Sequence, residues 1–252
     1  MAVSSLCWDQ ILLHLSHICM ECQQKILLDS QEAYAQASHL IRLYLGIAMP
    51  AFSRSSTVGP SWLPLPPKTA DIRKILRIRS KDQVVLVAFG GIPFNQLPLR
   101  KLEELEGFHF VLSGIRISKS FTRLSSWEEL NMPFLDVMRQ ADVVMTKPGY
   151  STIVTAVHYG MPLIYVRRRN FVEEGILAAY AHQYGRAFEL SKKDFEAGEW
   201  RQALEKIQAL SCPKRSPPQA GVREAVDILK TFLIGESVKV PFPSVRSGSR
   251  EG

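Results

Sequence analysis

Between residues 70 and 190 the chain alternates short, wholly apolar runs with helix-like stretches, and this alternation constrains the fold more than any other feature. "VVLVAFGG", "FHFVLSG", "DVVMT" and "PLIYV" read as strands, and "RAFEL" as a short edge strand. "LRKLEEL", "PFLDVMRQ", "STIVTAVHYG" and "FVEEGILAAYAHQYG" read as the helices between them. Such βαβ units build a parallel sheet. Strands that are apolar throughout, rather than at every second residue, need helices on both faces. The expected class is therefore α/β, with a Rossmann-like parallel sheet. In open sheets of this kind ligands bind beyond the carboxyl ends of the strands, where the connections reverse direction. The turns at Gly90-Gly91, Ser113-Gly114, Lys147 to Ser151 and Arg167 to Glu174 all leave such ends and should share one rim.

Flanking regions set the expected domain plan. Residues 1–46 read as a strand, a helix and a short apolar strand, "HLIRLYL". Residues 47–69 hold five prolines and several serines and read as an interdomain linker. Residues 70–234 form the large α/β unit, opened by the short basic helix "ADIRKILRI" and closed by the helices "EWRQALEKIQAL" and "PQAGVREAVDILKTFLI". Residues 235–252 are polar and basic and read as a disordered tail.

Composition excludes little but orders the partners. At 46% hydrophobic and 22% charged residues, the values are those of a globular chain with a sizeable core. No apolar run reaches the roughly 18–20 residues of a membrane span, and the start has no signal-peptide pattern, so a cytoplasmic location is the expectation. The net charge of +7 favours phosphates, acidic lipid surfaces or nucleic acid. No basic helix with interleaved aromatics points to nucleic acid. Cysteines 7, 19, 22 and 212 form no disulfide framework. Cys19 and Cys22 follow His14 and His17, yet Ile11, Leu15, Ile18, Cys22 and Ile26 have helical spacing. A core helix is thus favoured over a zinc site, and no metal or cofactor is expected.

Three motifs lie on the expected rim. In "TKPGYSTIV", Pro148-Gly149 turns the chain, and Ser151 and Thr152 fall in the first turn of a helix, where free N–H groups and the helix dipole favour an anion. The same residues would serve as a plain N-cap and turn. In "AFGGIPFNQ", Gly90 and Gly91 follow a buried strand closely enough to face a diphosphate. Neither a dinucleotide fingerprint nor a Walker loop is present. In "VRRRNFVEEG", Glu173 and Glu174 open a helix behind three arginines, either as dipole partners or as acceptors for sugar hydroxyls. His158 and His109 read as structural.

"ADVVMTKPGYSTIVTAVHYGMPLIYV", residues 141–166, resembles the nucleotide-sugar signature of the C-terminal domain of family 28 glycosyltransferases, which have the two-domain GT-B fold. "SSLCWDQI", "FGG" and "GYSTIVTAVHYGMPLIYVRRRNFVEEGIL" further resemble the glycosyltransferase-like N-terminal region of plant-type arabinokinases. The resemblance spans about residues 1 to 210. It implies that Gly90, Gly91, Gly149, Ser151 and Thr152 meet the donor diphosphate, and that Glu173 and Glu174 stand where an Asp-Gln pair meets the donor sugar. The family's ribose-gripping glutamate is replaced by Thr155. The resemblance also implies a metal-independent reaction and a larger first domain, of which residues 1–46 represent the last units. The missing half, or a separate partner chain, would supply the acceptor site and the general base; among the early carboxylates Asp9 is the only one worth testing for that role.

The expected function is that of a glycosyltransferase of hexosyltransferase type. It would bind a nucleoside-diphosphate sugar and move the glycosyl group to an acceptor hydroxyl, and residues 1–252 alone should transfer no sugar. Alternatives are a non-catalytic nucleotide-sugar-binding or regulatory protein, a nucleotide-sugar 2-epimerase and a nucleic-acid binder.

Overall fold

The computed structural model describes residues 2–4, 20–89, 97–168 and 171–234. Its larger sheet has six parallel strands: β4 (Gln83–Ala88), β5 (Phe108–Leu112), β6 (Leu124–Ser126), β7 (Val143–Thr146), β8 (Leu163–Tyr165) and β9 (Ala187–Glu189). They lie in the order β6-β5-β4-β7-β8-β9. The chain thus starts in the middle, steps outward twice, returns to the other side of β4 and steps outward again. This is the doubly wound Rossmann order, with its reversal between β4 and β7.

Successive residues of β4 feed two separate cores, as the two-residue strand period requires. Val84, Leu86 and Ala88 join one, with helices α2 (Ile72–Ile75), α4 (Phe134–Gln140), α5 (Tyr150–His158) and α6 (Glu174–Tyr184). Val85 and Val87 join the other, with α3 (Leu99–Glu103), α7 (Lys192–Ala197) and α8 (Arg201–Ala209). Phe195 stacks on the fully buried Trp200 at 5.1 Å, and the Trp200 indole N–H donates to the Phe195 carbonyl at 2.9 Å. The fold is α/β with a Rossmann-like parallel sheet, as expected.

A smaller parallel sheet of three strands, β1 (Ala2–Ser4), β2 (Leu40–Leu43) and β3 (Ser55–Val58), lies beside the first. Helix α1 (Met20–Ala35) contributes Tyr34 to the cluster of Leu40, Ile47, Met49 and Phe52 on one face. On the other face α9 (Val222–Ile234) packs Ile228, Ala225 and Leu229 against Ile41 and Val58.

Two features differ from the sequence expectation. Residues 55–58, within the segment read as a linker, form a strand. Three of its four residues are Ser or Thr, so no apolar run marked it, and it is held by backbone pairing with β2. The last helix, grouped by sequence with the large unit, packs on the small sheet, a long-range contact that its amphipathic pattern could not specify.

The two strands of chain that join the sheets touch. The Gly221 N–H donates to the Pro60 carbonyl at 3.0 Å and the Gly59 N–H to Glu224 Oε2 at 2.7 Å. A Cβ on either glycine would collide with the backbone of the other crossing. The proline-rich run that follows is strapped to α4 and α5. Trp62 stacks on His158 at 3.6 Å. The Ser61 and Leu65 N–H groups donate to the Tyr150 and Tyr159 hydroxyls, both at 3.3 Å. Arg139 donates to the Pro66 carbonyl at 2.9 Å. Thr69 donates through both its hydroxyl and its N–H to the buried Asp136. Burial opposes ionisation of Asp136, but these hydrogen bonds and that of Gln140 outweigh it and hold its pKa low.

Candidate nucleotide-sugar site

Strand register brings four carboxyl ends to one level. Ala88 pairs with Thr146, Thr146 with Tyr165, and Val87 with Leu112. The topological switch therefore lies between the carboxyl ends of β4 and β7, with the end of β8 beside them. Gly90 and Gly91 continue from β4 and lie outside the described residues. So do His14, His17 and Cys19, and the 235–252 tail.

The β7 turn is built as expected. Gly149 is the N-cap of α5 and makes no side-chain capping bond, and the first helical N–H with an intrahelical partner is that of Ile153. Helix geometry leaves the N–H groups of Tyr150, Ser151 and Thr152 directed out of the helix end. Ser151 is exposed and Thr152 half-buried. Gly149 itself has φ −121° and ψ 138°, an ordinary extended conformation. Backbone strain therefore does not explain the glycine. Space does: a Cβ built there meets nothing nearer than the Lys147 carbonyl at 4.0 Å, so the position opens outward.

The two adjacent glutamates have different surroundings. Glu174, at 1% exposure, accepts from the Arg168 N–H at 2.9 Å and from Arg168 Nε at 2.6 Å. The Arg168 guanidinium also lies 4.1 Å from the centre of the Phe171 ring and reaches toward the Pro148 carbonyl at 3.5 Å. This bracket ties the β8 turn to the β7 turn. Glu173 is also buried, but its Oε2 has no hydrogen-bond partner among the described residues. Burial raises its pKa, Arg168 pulls it down, and Glu174 pushes it up again. Lys147 belongs to the same cluster: burial lowers its pKa, Arg168 lowers it further, and Glu174 opposes both. Lys147, Arg168, Glu173 and Glu174 thus form one charged cluster.

At the far side of the rim, the Gly114 N–H and the Ser126 hydroxyl both donate to Glu128, each at 2.6 Å. Beside them lies an open depression of about 460 Å³, lined by Trp127, Glu128, Asn131, Met132 and Pro133. Sequence reasoning missed it because β6, a three-residue "LSS", carries no strand signal. Thr155 is buried in α5 and faces the core. His158 is half-buried against Trp62, and His109 is buried in β5 with Nε2 2.9 Å from the Ser125 hydroxyl. Among the described residues no group of three or more His, Cys, Asp or Glu could hold a metal ion. No helix among them is long and apolar enough to cross a membrane.

No family model matches the chain. In sequence it is similar to L-arabinokinase of Arabidopsis thaliana, with 27% identity over 237 residues, 92% of this chain and 22% of that protein. The chain thus spans about a fifth of the length of that relative. In structure it resembles glycosyltransferases. A UDP-glucosyltransferase from Polygonum tinctorium aligns with a TM-score of 0.49 and 19% identity, over 74% of this chain and 48% of that one. MurG of Acinetobacter baumannii aligns with a TM-score of 0.46 and 15% identity, over 83% and 63%. The likeness to these structures is one of fold.

Proposed function

We propose that the rim between β4, β7 and β8 binds a nucleoside-diphosphate sugar, and that the protein acts as the donor-binding part of a glycosyltransferase. The observation that carries this reading is the N-terminus of α5. A glycine-capped nine-residue helix begins at the switch point, with open space over Gly149 and with Lys147 and Arg168 beside it. The diphosphate would accept from the Tyr150, Ser151 and Thr152 N–H groups and from the Ser151 and Thr152 hydroxyls; the sequence resemblance assigns Gly90 and Gly91 to it as well. Glu173 would meet the sugar, while Glu174 holds the loop through Arg168. The depression at Trp127 offers a place for the base. Dipole and N–H groups at the helix end would also stabilise the diphosphate as it leaves, without a metal. The acceptor hydroxyl and the base that takes its proton would come from another part of the protein or from a partner chain.

A second reading, binding without transfer, is favoured by Thr155. The residue in the position of a ribose-gripping glutamate points into the core, so the nucleoside is held less firmly than in the glycosyltransferases the sequence resembles.

Gly149→Val tests the reading. Valine adopts φ −121° without strain, so the thermal melt should be unchanged while the branched side chain fills the phosphate space. Calorimetric titration with uridine, guanosine and adenosine diphosphates should show binding of at least one by the wild type, weakened by at least about tenfold in the variant, the equivalent of ~1.4 kcal/mol. An equal dissociation constant in the folded variant would leave the turn as a plain N-cap.

A further inference from the structure

The depression beside β6 carries chemistry that diphosphate binding does not use. Trp127 follows β6 directly, and Glu128 is tied to Gly114, two residues beyond the end of β5. The depression they line or anchor therefore lies at the carboxyl ends of these strands. In the order β6-β5-β4-β7, three strand spacings separate β6 from β7, about 14 Å in all. An extended nucleoside diphosphate with its phosphates at the α5 N-terminus covers that span and sets its base at Trp127.

The lining suits a planar base with donors on its edge. The Trp127 indole N–H donates to the Met132 carbonyl at 3.1 Å, and the ring stands edge-on to Phe134 at 5.7 Å. With its N–H taken, the half-buried indole offers the depression an aromatic surface, on which a base can stack. Glu128 is exposed and lines the same depression. Its Oε1 accepts from the Gly114 N–H and its Oε2 from the Ser126 hydroxyl, each at 2.6 Å, so the carboxylate is fixed in place. Burial opposes its ionisation, but the bonds from Ser126 and Gly114, with its own N–H, outweigh that and hold its pKa low. Each carboxylate oxygen can accept twice, so these two bonds leave a place on each. The other described residues that line the depression, Trp127, Asn131, Met132 and Pro133, include no cation to occupy those places.

We infer that Glu128 makes the nucleotide site selective for guanine, accepting from the N1–H and the 2-amino group of the base while Trp127 stacks on its ring. This inference rests on the nucleotide-sugar reading above and names the nucleoside. Guanine alone of the common bases presents two donors side by side on its pairing edge. Uracil presents one N–H between two carbonyl oxygens, which a carboxylate repels. Adenine and cytosine set their amino group beside a ring nitrogen that is itself an acceptor. The ligands selected are therefore guanosine diphosphate and its sugar conjugates. Nothing in "SSWEEL" separates Glu128 from Glu129; the bonds to Gly114 and Ser126 do.

Inosine diphosphate differs from guanosine diphosphate in lacking the 2-amino group, and so tests the contact from the ligand's side. Calorimetric titration of the wild type with guanosine, inosine, adenosine and uridine diphosphates should find guanosine diphosphate the tightest. Inosine diphosphate should bind about tenfold more weakly, the loss of one hydrogen bond to a charged acceptor. Glu128→Ala removes the acceptor, and in that variant guanosine and inosine diphosphates should bind alike. A thermal melt checks that the variant is folded; if it is not, the wild-type series decides by itself. A wild type that binds inosine diphosphate as tightly as guanosine diphosphate, or uridine or adenosine diphosphate more tightly, would overturn the inference and leave the diphosphate site standing. So would a folded Glu128→Ala that keeps the full preference for guanosine over inosine diphosphate. Absence of binding by all four would instead remove the reading on which the inference rests.

Discussion

Glu174→Ala is expected to destabilise the protein by about 3–5 kcal/mol, the range for removing one partner of a buried ion pair. The carboxylate is 1% exposed and receives both the backbone N–H and Nε of Arg168. Its loss strands an arginine whose side chain is only 24% exposed. The Phe171 ring beneath the guanidinium compensates little. Glu174→Gln keeps an oxygen for the Arg168 N–H and should cost less than the alanine variant. Urea denaturation of the three proteins measures the order. If alanine costs under about 1 kcal/mol, the typical worth of an exposed pair, the bracket does not hold the β8 turn.

The second large effect is a dependence on pH. Burial lowers the His109 pKa from 6.5 to about 4, against the partly opposing charges of Asp82 and Glu103 and with those of Arg73 and Arg79. The folded protein keeps the imidazole neutral while the unfolded chain protonates it below pH 6.5. Between pH 6.5 and 4 the unfolded state binds more protons, so stability falls as pH falls and is level above that window. At about 1.4 kcal/mol per pH unit, the histidine accounts for a loss of about 3 kcal/mol across it. His109→Gln removes the proton site. The difference in unfolding free energy between pH 7 and pH 4 should therefore be smaller in the variant by about that amount, the carboxylates being common to both. Parallel pH profiles would show that His109 is protonated within the fold.

Much of the large sheet was legible because its central strands are buried on both faces. The residues of β4, β5 and β7 leave no polar side to obscure the pattern, and the helices between them repeat at helical spacing. The elements that escaped are those held by pairing or capping rather than by an apolar run. Strands β3 and β6 are short and serine-rich. Helix α7 is six residues long, but its limits were marked in the sequence. The Ser191 hydroxyl caps the Asp194 N–H at 3.0 Å, and Gly198 takes φ 75° at the other end.

Site chemistry was legible one level down. The glycine turn at 149 and the acidic pair at 173 and 174 stand out as residue types. That adjacent glutamates divide into one held by arginine and one without a partner depends on which way Arg168 turns. That is set by the Phe171 ring and the Pro148 carbonyl and has no sequence signature. Gly149 stands out in the sequence as a turn glycine, but its backbone is ordinary, and the open space above it is what distinguishes the position.

The central claim is that the α5 N-terminus receives a diphosphate. Backbone amide chemical shifts of isotope-labelled protein, followed by NMR during titration with uridine, guanosine and adenosine diphosphates, test it most directly. The account predicts that at least one nucleotide moves the amides of Tyr150, Ser151 and Thr152 most, followed by those of Arg167 and Arg168. Saturable shifts centred elsewhere, as at the cavity lined by Phe188, Asp194 and Arg201 beside β9, or no saturable shift with any of the three, would contradict it.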